Sequence, residues 1–280
     1  MKKRKLKKSV RILSALVAVL LVLAVAAAAV NGKRSAAAVQ NETETAATAE
    51  PAAVPSETTE EDDGYIFTDE RIQELRDELK EDQKINPDVK AILVFKSELV
   101  HDPVLQGTDN NHYLYVDWKT GADQSYGSIM LDYMNDLDNE DEMNTIIYGH
   151  YIYEYKNSDR TLVFTPLSQM TEAGNYADNK YVALVTDKEI RYYVVGSVFN
   201  CPMVDVNGSQ VADEGFQFNL VEYDTNYFST YMRNIKNNQY YTTGVQFEYG
   251  DKLLSLQTCI EDYPESRQIV LCKELERVKF

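Results

Sequence analysis

Hydrophobic and polar positions change their period three times along this chain. From Ile12 to Val30 the residues are apolar with only Ser14 interrupting. That run of 19 residues is long enough to cross a hydrocarbon core of roughly 30 Å as a helix. Residues 35–63 then carry almost no large apolar group. Their Ala, Thr, Glu and Pro composition cannot bury enough surface to fold. From Thr68 the spacing becomes helical, with Ile72, Leu75 and Leu79 on one face. Thr68 suits an N-cap, and Asn86-Pro87 is a stop. This helix is expected to pack on the outside of the domain.

Beyond Pro87 the pattern is that of β-strands: short aliphatic or aromatic runs bounded by turn residues. The runs are AILVF (91–95), YLYVDW (113–118), SIMLDY (128–133) and NTIIYG (144–149). YVALVTDKEIRYYVVGSVF (181–199) predicts a hairpin turning at Thr186–Lys188. KLLSLQT (252–258) and RQIVLC (267–272) complete the set. One helix interrupts them at 225–237, with Tyr227, Phe228, Tyr231, Met232 and Ile235 on one face. Regularly spaced short strands of this kind imply a mainly β barrel or sandwich. No internal repeat is visible.

Charge sharpens the division. The chain has 280 residues and a net charge of −17. Of its 28 Lys/Arg, nine lie in residues 1–34, which hold no Asp or Glu. The remaining 19 face all 45 acidic residues, so the rest of the chain carries −26. An acidic body repels nucleic acid, whose binding depends on neutralising phosphates. Seven cations precede the apolar run and two follow it, so the N-terminus is expected in the cytoplasm. The expected organisation is a basic segment at 1–11, a transmembrane anchor at 12–30, a flexible acidic linker at 31–63 and an extracellular domain at 64–280. A cleaved signal peptide is the alternative, with a small-residue site at Ala26–Ala29.

Candidate chemistry is confined by scarcity, because the chain has three Cys and three His. Cys259 ends one strand-like run and Arg267 opens the next, so a hairpin would set thiol and guanidinium side by side. His150 follows the strand run NTIIYG. A thiol nucleophile, an imidazole for proton transfer and a fixed cation for a developing oxyanion form a set suited to attack on a carbonyl. Cys272 and Cys201 are expected to be structural, and His101 and His112 to be surface residues. Three cysteines cannot build a disulfide framework. No Gly-rich phosphate loop, zinc spacing or EF-hand loop is present, so no metal and no cofactor is expected.

NTIIYGH, LLSLQTC and the following Arg267 resemble the sortases, the cysteine transpeptidases of Gram-positive surfaces. INPDV (85–89), PVLQGTDNNHYL (103–114), GSIMLDY (127–133) and the helix before the nucleophile strand are most similar to class B. The resemblance spans roughly residues 70–280. It implies a twisted eight-stranded β-barrel with peripheral helices. It also implies that Cys259, His150 and Arg267 are catalytic, with Thr258, Tyr148 and Asn110 lining the substrate groove. The implied reaction cleaves a C-terminal sorting motif of a surface protein after threonine. The acyl group then passes to an amine of a cell-wall peptide or a pilin. A cysteine peptidase and a non-catalytic surface binding module are the alternatives. Two positions depart from the family: Gln257 stands where a small hydroxyl residue is usual, and Tyr151 where Asn or His is. Both lie beside the site and bear on its substrates.

Overall fold

The computed structural model describes residues 64–154, 156–202, 218–258 and 266–280. The expected anchor at 12–30, the linker at 31–63 and Cys259 lie outside these residues. No helix among the described residues is long and apolar enough to cross a membrane.

The first helix, α1 (Asp69–Ile85), begins where the sequence places it. The Thr68 side chain accepts a hydrogen bond from the Arg71 N–H, and Asp69 and Glu70 face the positive end of the helix dipole. Asn86 is extended, the conformation favoured before a proline, and the helix ends there. Leu75 and Leu79 are buried one turn apart against β1 (Val89–Phe95). Successive residues of β1 point to opposite faces. Ile92 and Val94 meet the helix, whereas Ala91, Leu93 and Phe95 enter the barrel core. Both faces are covered, which explains why this strand is apolar without alternation.

Seven more strands follow: β2 (His101–Leu105), β3 (Met130–Leu131), β4 (Asn144–Tyr148), β5 (Tyr181–Val185), β6 (Glu189–Pro202), β7 (Leu253–Thr258) and β8 (Ser266–Lys279). They close into one barrel in the order β1-β2-β3-β4-β7-β8-β6-β5. β4 runs parallel to β7, and β8 is antiparallel to both β7 and β6. A four-residue helix, α2 (Tyr176–Asn179), precedes β5. The last helix, α3 (Thr225–Asn238), is capped by Asp224, whose side chain accepts from the Tyr227 N–H. It buries Phe228, Tyr231 and Ile235 in a cluster with Phe199, Ile269 and Leu271 of β6 and β8. Tyr227 and Met232, predicted on the same face, are partly buried there.

Two expectations change. Residues 113–118 are not a strand: His112–Leu114 form a 3₁₀ turn, and only Val116 makes an isolated bridge, to Asp123. His101 is not a free surface residue. Its ring lies between Glu78 at 2.9 Å and Glu98 at 2.8 Å and ties α1 to β2. The bond to Glu78 is the main cause of its raised pKa. His112 is exposed as expected.

Candidate active site

Three neighbouring strands end together. Tyr148 of β4 pairs with Gln257 of β7, and the Gly149 N–H donates to the Gln257 carbonyl at 3.2 Å. Thr258, the last residue of β7, pairs with Gln268 of β8. His150, Thr258 and Arg267 therefore emerge at one end of the barrel. They line one cleft of ≈ 310 Å³ with Asn110, Tyr148 and Gln257. All five described residues among the six expected site positions, Asn110, Tyr148, His150, Thr258 and Arg267, are thus brought together. The sixth, Cys259, follows Thr258 in the chain and lies outside the described residues.

His150 is held from both sides along the chain. Phe164 donates its N–H to the His150 carbonyl at 3.1 Å and is fully buried. A Cβ on Gly149 would lie 2.7 Å from Cγ of that phenyl ring, so this close packing needs glycine before the histidine. The imidazole Nε2 lies 3.0 Å from the Leu114 carbonyl oxygen. A carbonyl only accepts, so Nε2 carries the hydrogen and the neutral ring keeps its lone pair on Nδ1. Burial lowers the His150 pKa. The bond to Leu114 opposes this, and Lys156 and Arg267 add to the lowering.

Arg267, the second residue of β8, is half-buried, with Nη1 donating to the Ser266 carbonyl at 3.2 Å. Thr258 is 2% exposed, and its hydroxyl oxygen has no hydrogen-bond partner among the described residues. Gln257 is buried, and its Nε2 donates to the Phe218 carbonyl at 3.3 Å.

Behind Tyr148 and Asn110 lies a carboxylate absent from the expected set. Asp132 is 4% exposed just after β3. Its Oδ2 accepts from the Tyr148 hydroxyl at 2.7 Å and from Asn110 Nδ2 at 2.9 Å. Its Oδ1 accepts from the Met134 N–H at 2.8 Å. Asn110 Oδ1 in turn accepts from the Tyr133 N–H. Burial is the main cause that pushes the Tyr148 hydroxyl pKa far up, and Asp132 adds to it. Asp132 thus fixes both groove residues that the sequence nominated. Its only sequence signal is a lone acid ending the apolar run GSIML. Asp132→Ala leaves the Tyr148 hydroxyl and Asn110 amide without their shared acceptor. We expect a loss of about 1–3 kcal/mol of stability, read by denaturant unfolding, together with a raised KM for the peptide donor.

The two other cysteines are buried. Burial raises the Cys272 thiol pKa far above its ordinary value, which suits an inert core residue.

The closed eight-stranded barrel is the fold of solved sortase B structures. No family model matches the chain. Sortase B of Listeria monocytogenes is 28% identical over 200 residues, covering 70% of this chain and 74% of that protein. The Staphylococcus aureus sortase B–substrate complex superposes with a TM-score of 0.59 at 22% identity, covering 74% of this chain and 89% of that one. Sortase B of Clostridium perfringens gives a TM-score of 0.57 at 23% identity, covering 70% of this chain and 99% of that one. In both sequence and fold, the likeness of this chain is to sortase B proteins.

Proposed function

We propose that the chain is a membrane-anchored cysteine transpeptidase that joins surface proteins to an amine. The observation that carries the reading is the convergence of His150, Thr258 and Arg267 on one cleft, with Cys259 next in the chain after Thr258. The reading requires Cys259, one peptide bond and about 3.8 Å of Cα–Cα distance beyond Thr258, to reach that cleft.

In the first half-reaction the Cys259 thiolate attacks the carbonyl carbon of a threonine in the sorting motif. A C–S bond forms and the peptide C–N bond breaks. His150, as imidazolium, gives its proton to the departing amine. Arg267 stays charged throughout and stabilises the oxyanion of the tetrahedral intermediate. In the second half, an acceptor amine attacks the thioester, His150 takes its proton, and the thiolate leaves. The threonine carbonyl ends in a new amide. Donors are surface proteins with a C-terminal sorting signal; the acceptor is an amine of a cell-wall peptide or a pilin. The helix expected at 12–30 holds the domain on the outer side of the membrane, and the acidic linker at 31–63 gives it reach.

The test is incubation of the full chain with sorting-motif peptides and an amine acceptor, read by mass spectrometry. Cleavage after threonine with a ligated product is expected. Acid product alone, at every acceptor concentration, identifies a hydrolase. No covalent change in any peptide, with Cys259 also inert to thiol electrophiles near neutral pH, identifies a binding module.

A further inference from the structure

A polar row crosses the barrel just inside the cleft. Gln268 of β8 pairs with Thr258 of β7 on one side and with Asn200 of β6 on the other. Directly opposite residues in a sheet share a face. Two residues further along these strands stand Val270, Leu256 and Val198, all in the barrel core, so the row faces inward. It lies one residue from Arg267 and one from Cys259. Gln268 is fully buried, and its Nε2 donates to the Leu167 carbonyl at 2.5 Å. Leu167 belongs to the 3₁₀ segment Thr165–Thr171. Phe164, just before that segment, holds the His150 carbonyl and packs on Gly149. The Thr165 hydroxyl oxygen accepts from the Ile152 N–H at 3.0 Å. The Gln268 amide therefore joins the strand that carries Arg267 to the segment that braces His150.

The donation to Leu167 fixes which way this amide points, because a carbonyl only accepts. Its Oε1 is then an acceptor, buried and without a partner among the described residues. The Thr258 hydroxyl across the pair is a donor in the same condition, and Asn200 Oδ1 is a second open acceptor. Buried polar groups are costly to leave open. We infer that Gln268 is a positioning residue: its oxygen engages the Thr258 hydroxyl, directly or through one water, while its nitrogen holds Leu167, so that one amide sets the end of β7 against the imidazole of His150. The inference rests on the transpeptidase reading and adds a residue to its machinery. Proton transfer between the imidazole and an amine at the thioester carbon is sensitive to displacements on the ångström scale. Gln268 acts on that spacing from beneath, since it is not among the residues that line the cleft.

The experiment uses the full chain, one cleavable donor peptide and diglycine as acceptor, with rates taken per folded protein. Gln268→Met keeps the length of the side chain and removes both hydrogen bonds. Its kcat should fall about 10²-fold, while KM for the donor stays near the wild-type value. Burial is the main cause that lowers the His150 pKa. A loosened brace admits water, so the acid limb of the pH profile should move up towards about 6.5. Gln268→Asn keeps an amide but is too short for Leu167. It should show the same changes in smaller measure, and it replaces the Met variant if that one does not fold. Thr258→Val removes the hydroxyl at nearly constant shape. Added to a Gln268 variant it should cost little more, because both changes break one contact. Wild-type kcat in a folded Gln268 variant, a loss confined to KM, an acid limb that stays in place, or fully additive costs in the double variant would overturn the inference while leaving the transpeptidase intact. Absence of any donor cleavage by the wild type would instead overturn the transpeptidase reading, and this inference with it.

Discussion

Cys259→Ala will lose both donor cleavage and ligation while its unfolding midpoint stays near that of the wild type. Loss of a nucleophile removes the covalent path itself, and in a serine hydrolase it costs on the order of 10⁶ in kcat. Among the described residues the buried clusters are built from the strands and from α1 and α3, and a thiol-to-methyl change at one position should leave them standing. His150→Ala should cost about 10²–10⁴ in rate, the usual contribution of a positioned acid or base. Arg267→Ala should cost about 10²–10³, the scale of one lost oxyanion donor. Arg267→Lys should not restore the rate fully, because a point charge on a flexible stem replaces a fixed planar fork.

The pH profile of the wild type carries a further check. Burial lowers the His150 pKa, so the acid limb of kcat/KM should fall below about 6.5, the ordinary value for histidine. The basic limb belongs to the thiol. The two limbs report the coupled pair, so they locate the optimum without assigning which protonation state reacts. Undiminished activity in Cys259→Ala would end the transpeptidase assignment. An acid limb above the ordinary histidine value would instead show that the buried imidazole feels a dominant negative charge.

The count of eight strands in the sequence reading conceals an exchange of two segments. YLYVDW reads as a strand because its apolar and aromatic residues fit a pleated surface. However, Asp109 Oδ1 accepts from the N–H groups of Asn111 and His112, at 2.7 and 3.0 Å, and turns the chain into the 3₁₀ segment. Such capping by aspartate competes with strand formation wherever it precedes an apolar run. HDPVL carries no strand expectation because proline removes a ladder donor. It is a strand all the same: Pro103 pairs only towards β1, while β3 meets β2 at Leu105 alone. The second half of β8, KELERVK, lacks any apolar period. It holds because β6 is equally long, and because Glu189 lies 2.6 Å from Arg191 and 3.4 Å from Arg277. Polar satisfaction between strands leaves no hydrophobic signature in one sequence.

The cleft was legible where rare residue types point to it and hidden where the backbone does the work. His150 and Arg267, beside strand ends, are residue types with specific uses. Asp132 acts by accepting three hydrogen bonds, a role open to any acid in the chain. The carbonyl of Leu114 has no side-chain identity to read. It reaches the histidine only because residues 113–128 fold back over the end of β4, a path the strand expectation for 113–118 would have straightened.

That path makes Gly127 the position where one methyl group should do the most damage away from the three expected catalytic residues. Its φ is +53°, in the left-handed region where a side chain costs roughly 1–2 kcal/mol. A Cβ there would lie 2.3 Å from the carbonyl carbon and oxygen of Leu114 and from the carbonyl oxygen of Tyr113. These are backbone atoms and cannot rotate aside, so the segment itself must move. Tyr113 O accepts from the Ser128 N–H, and Leu114 O accepts from His150 Nε2. Gly127→Ala should therefore lower stability by about 2 kcal/mol or more. It should also lower kcat about 10²-fold by letting the imidazole turn, the cost of a misplacement on the ångström scale. Two readouts separate this from simple loss of folded protein. The carbonyl raises the His150 pKa, so its withdrawal moves the acid limb of the pH profile further down. Nitrogen NMR of the neutral ring should show the Nε2–H tautomer in the wild type and a mixture in the variant. Leu114→Ala keeps the carbonyl and should leave the tautomer unchanged. A folded Gly127→Ala protein with the wild-type tautomer and rate would mean that the segment yields without moving Leu114, and that His150 is oriented by something other than that carbonyl.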